Sequence, residues 1–190
     1  MKDYTELVVT ASEMSGDVNA VNYASSLVAI LEAKLSRALK VRQAIETRNA
    51  TTSSLGTINL PDDFVELVSI FKGDEELYAI PMASVMSDYS TGYCIMGTKI
   101  HITEKSCPVT MRYYAKLPSL RDVGCNWLLL DAPDIYLYGL VNEIAAKNLE
   151  VDKVTAIKPY LDQLVANFVA SNRANLITGE SHTSLNGVHP

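Results

Sequence analysis

Cysteine is scarce in this 190-residue chain: three residues, Cys94, Cys107 and Cys125, an odd count with no C-x-x-C spacing. That usage excludes a disulfide framework and reads as reduced thiols. Histidine is equally scarce. His101 falls in an expected strand, and His182 and His189 fall near the C-terminal end. No His or Cys pair has metal-ligand spacing, so neither a metal nor a cofactor is expected. Neither a G-x-G-x-x-G nor a G-x-x-x-x-G-K-[ST] loop is present, which removes the common phosphate cradles. Long hydrophobic runs are missing too. The longest, Ile135 to Val141, is far below the roughly 20 residues of a membrane span. The opening MKDYTEL lacks the apolar core of a signal peptide. Basic charge is short: the net charge is −6. The densest basic residues, Lys34, Arg37, Lys40, Arg42 and Arg48, are strung along a helix and its exit and form no duplex-binding stripe. An acidic surface that only surrounds DNA, as in a channel, remains compatible, because net negative charge keeps the polymer from sticking.

What is present is apolar residue in quantity. Hydrophobic residues make up 48% and charged residues 20%, the latter below the usual quarter. With a mean hydropathy just above zero, this points to some surface being covered by partners. Helical spacing marks Tyr4 to Met14, stopped at Ser15-Gly16-Asp17. A longer helix is expected from Ala20 to Leu39, with a stripe of Tyr23, Leu27, Ile30, Leu31, Leu35 and Ala38, and with Glu32, Lys34, Arg37 and Lys40 mostly off it. From Gln43 the period is lost and the chain turns polar. Phe64 to Phe71 reads as a buried strand, Lys72-Gly73-Asp74-Glu75 as a turn, and Glu76 to Ile80 as its partner. A second hairpin is expected at Tyr93 to Met96 and Lys99 to Thr103 around Gly97. Val109 to Ala115 is a further strand, with Val109, Met111 and Tyr113 on one face.

Asp131-Ala132-Pro133-Asp134 reads as a helix start capped by Asp131. Its expected stripe is Ile135, Tyr138, Val141, Ile144 and Ala145. Asp152 is expected to cap a last helix that keeps its spacing to about Leu176, with Pro159 kinking it or delaying its start. Trp127 is read as a core anchor just ahead of the Asp131 start. The stretch Thr178 to Pro190 is polar, without periodicity, and cannot fold alone.

Catalytic patterns are thin. Asp62-Asp63 and Glu75-Glu76 lie in or beside turns, where carboxylates are ordinarily solvated; a two-carboxylate site needs them held in a cleft. A Cys–His couple would have to assemble in space, with His101 the one histidine in an ordered element. Seven of the ten tyrosines fall between Tyr78 and Tyr138. In an acidic chain that density favours protein interfaces or core over single-stranded nucleic acid.

Several segments together resemble the adaptor, or head-to-tail connector, proteins of tailed phages. They are Tyr4-Thr5-Glu6-Leu7, Leu31 to Arg37 running into Glu46-Thr47-Arg48, and Leu60 to Leu67. Further on they are Met111 to Leu120, Asn126 to Leu129 and Ala132 to Gly139. The resemblance covers about residues 4 to 170. It implies a virion protein of the neck or tail, assembled in the host cytoplasm and monomeric when free. It implies a ring of about twelve copies, closed by heterologous contacts, on the portal protein. It further implies a DNA channel crossed without sequence-specific binding, a downstream tail or nozzle protein and, as for most members, no enzymatic activity, although one related adaptor lineage is linked with cell-wall hydrolysis. The alternatives are another neck or tail-completion protein, or a virion-associated hydrolase using Asp62, Asp63 or Glu66.

The expected architecture is α+β. A helical body of two N-terminal and two C-terminal helices carries an inserted small antiparallel sheet or sandwich and an extended C-terminal tail. The expected divisions are residues 1–43, 44–118, 119–177 and 178–190. No catalytic, cofactor or metal residue is expected. The partner-binding candidates are Arg37, Arg48, Leu185 and Val188, the last two as the few apolar anchors of a tail that orders on the portal.

Overall fold

The computed structural model describes residues 1–86 and 91–181, and the fold is α+β. The chain forms two compact units, one from Met1–Ala44 with the chain from Lys116 onward, the other from Ile45–Ala115.

The helical unit begins with α1 (Tyr4–Ser15). Asp3 caps it by accepting from the Glu6 N–H, and Gly16, at φ +76°, ends it. A short 3-10 turn at Ala20–Asn22 leads to α2 (Ala24–Ala38). After the other unit come two short helices, α4 (Leu120–Val123) and α5 (Trp127–Asp131), and then α6 (Pro133–Lys147) and α7 (Val151–Ser181). Helix α6 packs against α1, α2, α5 and α7. It is therefore buried almost all round, with Tyr136, Gly139 and Leu140 inside along with Ile135, Val141, Ile144 and Ala145.

Several expectations give way here. Asp131 ends α5 and caps nothing; Asn126 is the cap, accepting from the Leu129 N–H at 3.1 Å. Pro133 opens α6 directly, where its missing N–H costs nothing. Tyr136, not Tyr138, is the buried tyrosine, because a helix contacted on several sides has no single stripe. In α2, Ile30 and Ala38 are exposed and Glu32 is buried. Helix α7 starts at Val151, so Asp152 lies in its first turn and not at the cap, and Pro159 sits inside a continuous helix. Trp127 is half-buried and stacks on Phe168, ring centroids 6.4 Å apart; Leu128 and Leu129 are the fully buried anchors. The helix continues to Ser181, taking in the first residues of the expected tail.

The β unit holds β1 (Ile45–Thr51), β2 (Thr57–Asn59), β3 (Phe64–Lys72), β4 (Glu75–Leu77), β5 (Tyr93–Met96), β6 (Lys99–Ile102) and β7 (Pro108–Ala115), with a short helix α3 (Met82–Met86). One sheet has the order β1-β7-β3-β4 and the other β2-β6-β5, all paired antiparallel. Both sheets face one core of Ile58, Ile70, Leu77, Ile100, Ile102, Val109, Met111, Tyr113 and Ala115. The hairpins turn where expected, with Gly73 and Gly97 both at φ +59°, a conformation that favours glycine. Gly56, at φ +70°, lies against the Ile102 carbonyl, where a Cβ would collide with backbone. Strand β1 is the unexpected element: the polar run after Gln43 is an edge strand paired to β7 on one side, mostly exposed. A strand with no buried face carries no alternation to read.

Candidate interaction surfaces

The carboxylates weighed for hydrolysis do not converge. Asp62 and Glu66 are exposed on the turn before β3 and on β3, and Glu75 and Glu76 are exposed on β4. Asp63 accepts a hydrogen bond from the Tyr113 hydroxyl at 3.1 Å. Burial, with help from Asp63, pushes that phenol up to about 12. Tyr113 also stacks on Phe64, centroids 5.7 Å apart, so the contact holds the Pro61 turn onto β7. Cys94 and His101 are brought together, opposite each other on β5 and β6. They point away from the core that Ile100 and Ile102 enter, and among the described residues no hydrogen bond joins them. Among the described residues, no three His, Cys, Asp or Glu side chains gather where a metal ion would sit. Among them, too, no helix is long and apolar enough to cross a membrane.

The buried polar residues of the helical unit serve the fold. Glu32 Oε1 accepts from the Leu120 N–H at 2.8 Å and from the Tyr136 hydroxyl at 3.2 Å. The Asn126 amide donates to the Tyr136 oxygen and to the Pro118 carbonyl, both at 2.8 Å. One turn on, Ser36 Oγ accepts from the Leu117 N–H at 3.0 Å. Residues 117–120, which carry no cap of their own, thus receive their hydrogen bonds from α2. Burial raises the carboxyl of Glu32, against the lowering pull of Leu120 and Tyr136. Burial likewise pushes the Tyr136 phenol up.

Three open surfaces remain. The first is a groove of about 890 Å³ between α7 and the pair α2 and α6, lined by Leu31, Leu35, Leu161, Val165 and Val169. Lys34 and Glu143 pair at its rim, 2.6 Å apart. Leu161, Val165 and Val169 of α7 are only half-buried. The second surrounds the junction of α6 and α7. Asp17 joins this corner by accepting from the Asn148 amide at 2.8 Å and from the Tyr23 hydroxyl, bonds that lower its carboxyl. Lys147 sits 3.6 Å over the Tyr23 ring. Met14, Val18, Val21, Leu149 and Val151 are exposed on the segments these contacts tie together. Leu149 is 83% exposed and has φ +59°, in the position after a helix where glycine is usual. The third is the free edge of β1.

Of the partner-binding candidates, Arg37 is exposed in the last turn of α2 and Arg48 is exposed on β1. They belong to different units. Leu185 and Val188 lie outside the described residues. Sequence reasoning passed over the groove, the α6–α7 corner and the β1 edge. Only the corner left a signal, a leucine and a valine flanking a helix break.

A family model described as SU10 adaptor protein matches residues 2–173 of the chain. No curated protein matches the sequence significantly.

Proposed function

This chain belongs to the SU10 adaptor protein family, a phage adaptor family, and from that membership we propose that it is a non-enzymatic subunit of the head-to-tail connector. It forms a ring of about twelve copies on the portal protein, through heterologous contacts that close. The ring joins capsid to tail, surrounds the DNA channel without reading sequence, and receives a tail or nozzle protein below. The family match carries this reading, because it runs through both units and not through one shared module. The open groove along α7 supports it, since a large apolar surface left half-covered marks an interaction site. The acidic net charge of −6 suits a wall that DNA slides past. Arg37 and the segment holding Leu185 and Val188 are the proposed contacts to the portal.

The test is direct. Mixing the chain with its own portal should give a complex of increased size by light scattering, seen as a portal bearing an added ring in negative stain. A portal that stays bare at saturating chain overturns the proposal.

A further inference from the structure

Among the described residues, strand β1 has a neighbour on one side only. Which of its backbone groups are free is set by the register. The Thr52 N–H donates to the Cys107 carbonyl at 2.9 Å, and this pair continues the β1–β7 ladder beyond Thr51 and Pro108. Hydrogen-bonded pairs alternate along an antiparallel ladder. The backbone groups of Glu46, Arg48 and Ala50 therefore turn to β7, and those of Ile45, Thr47, Asn49 and Thr51 face outward. No other edge offers such a run among the described residues. On β2, the Thr57 N–H is taken by Ser53 Oγ at 3.1 Å, and its carbonyl accepts from the Ser53 N–H at 3.0 Å.

The side chains decide what this edge admits. Glu46 and Arg48 stand opposite Tyr113 and Met111, both of which enter the core. The two charges thus project on the core face at the rim of the sheet, exposed, and among the described residues neither forms an ion pair. Charges on the inner face of an edge strand guard it against indiscriminate strand addition. An incoming strand is tolerated only if it sets the opposite charge against each of them. Antiparallel to itself about Thr47, β1 meets that condition. Glu46 falls opposite Arg48 of the second copy, Arg48 opposite its Glu46, and Ile45 opposite its Asn49. The parity agrees as well. Ile45, Thr47 and Asn49, whose backbone groups face outward, fall at hydrogen-bonded rungs. Glu46 and Arg48 fall at the rungs between, where side chains approach most closely.

We propose that β1 pairs with β1 of a second copy of this chain, antiparallel about Thr47, joining two four-stranded sheets into one. A two-fold contact of this kind closes on itself and does not propagate around a ring. It describes the free chain, whose exposed edge it covers before assembly, and it assigns Arg48 a partner, Glu46 of the second copy. It departs from the free monomer that the family resemblance implies.

Sedimentation equilibrium over a concentration series tests it. The wild-type chain should pass from monomer to dimer as concentration rises. Thr47→Pro removes an outward N–H and leaves the ladder to β7 untouched; proline is tolerated on the open side of an edge strand. That variant should melt with the wild type and stay monomeric. Glu46→Arg and Arg48→Glu, each alone, should also stay monomeric, because like charges meet across the two-fold. Mixing those two variants restores opposite signs at both rungs and should restore the dimer. A wild-type chain that remains monomeric into the millimolar range overturns the pairing. So does a Thr47→Pro dimer as tight as the wild type, or a mixture no tighter than its parts. Portal binding is read in a separate assay, so failure of either proposal leaves the other standing.

Discussion

Glu32 shows how much one residue decides in the helical unit. Its carboxylate oxygen serves the Leu120 N–H and the Tyr136 hydroxyl, and Tyr136 is fully buried. Glu32→Ala strands both donors without water, at a cost of about 1–3 kcal/mol per unsatisfied group; a urea titration reads the loss. Burial raises the carboxyl, which fixes the sign of a pH effect. A raised carboxyl is easier to protonate folded than unfolded. Its contribution is therefore fully present below the ordinary glutamate range and is lost as pH rises through that range to the raised folded value. Glu32→Gln keeps the accepting oxygen and cannot ionise. The wild-type chain should lose stability relative to Glu32→Gln as pH climbs through that window. Parallel stability curves for the two proteins would contradict the raised carboxyl. Trp127 gives a second residue-scale expectation. Half-buried against Phe168, it should cost about 1–3 kcal/mol on truncation to alanine, less than the roughly 3–5 kcal/mol of a fully buried ring. A midpoint shift at unchanged slope measures it.

At the scale of elements, Leu149 breaks a local rule. The Glu150 N–H donates to the Ala145 carbonyl at 2.9 Å, the bond of a helix end closed by a left-handed residue, and that residue is a leucine. A side chain in this conformation costs about 1–2 kcal/mol. Leu149→Gly should therefore raise the melting temperature of the free chain, and an unchanged or lower one would mean that the exposed side chain contributes packing here. The neighbouring elements explain what the sequence could and could not tell. Helices α1 and α2, the two hairpins and β7 were legible, because each has a buried face, and α1 and the hairpins also have a glycine where the chain turns. Helix α6 was legible as a helix and in the burial of Ile135, Val141, Ile144 and Ala145, but the further burial of Tyr136, Gly139 and Leu140 was not, since contact from several sides replaces a stripe with all-round burial. Strand β1 and the Glu32 network were illegible for opposite reasons. An exposed edge strand leaves no apolar period, and a buried glutamate looks, in sequence, like any solvated one until its partners about 90 to 100 residues away are known. Of the three open surfaces, only the α6–α7 corner left a trace in the sequence; the groove along α7 is defined by what fails to cover it.

For the whole molecule, stability and assembly should separate. Among the residues whose side chains are described, the fully buried hydrophobic ones end at Ala145, and the polar composition of Thr178 to Pro190 gives that stretch little apolar surface to bury. The family match ends at residue 173. The proposed portal contact through Leu185 and Val188 therefore lies beyond the matched residues. Deleting Thr178 to Pro190 should leave the melting temperature where it is and weaken binding to the portal. Leu185→Asp with Val188→Asp should weaken it similarly if those two side chains are the anchors, since a carboxylate in an apolar contact must be desolvated unpaired. Titrating portal with the two variants and the full chain separates the outcomes. Weaker binding by both assigns the contact to the apolar pair. Weaker binding by the deletion alone assigns it to the backbone or polar groups of the segment. Equal affinity for all three removes the segment from the interface and returns the portal contact to Arg37 and the groove along α7.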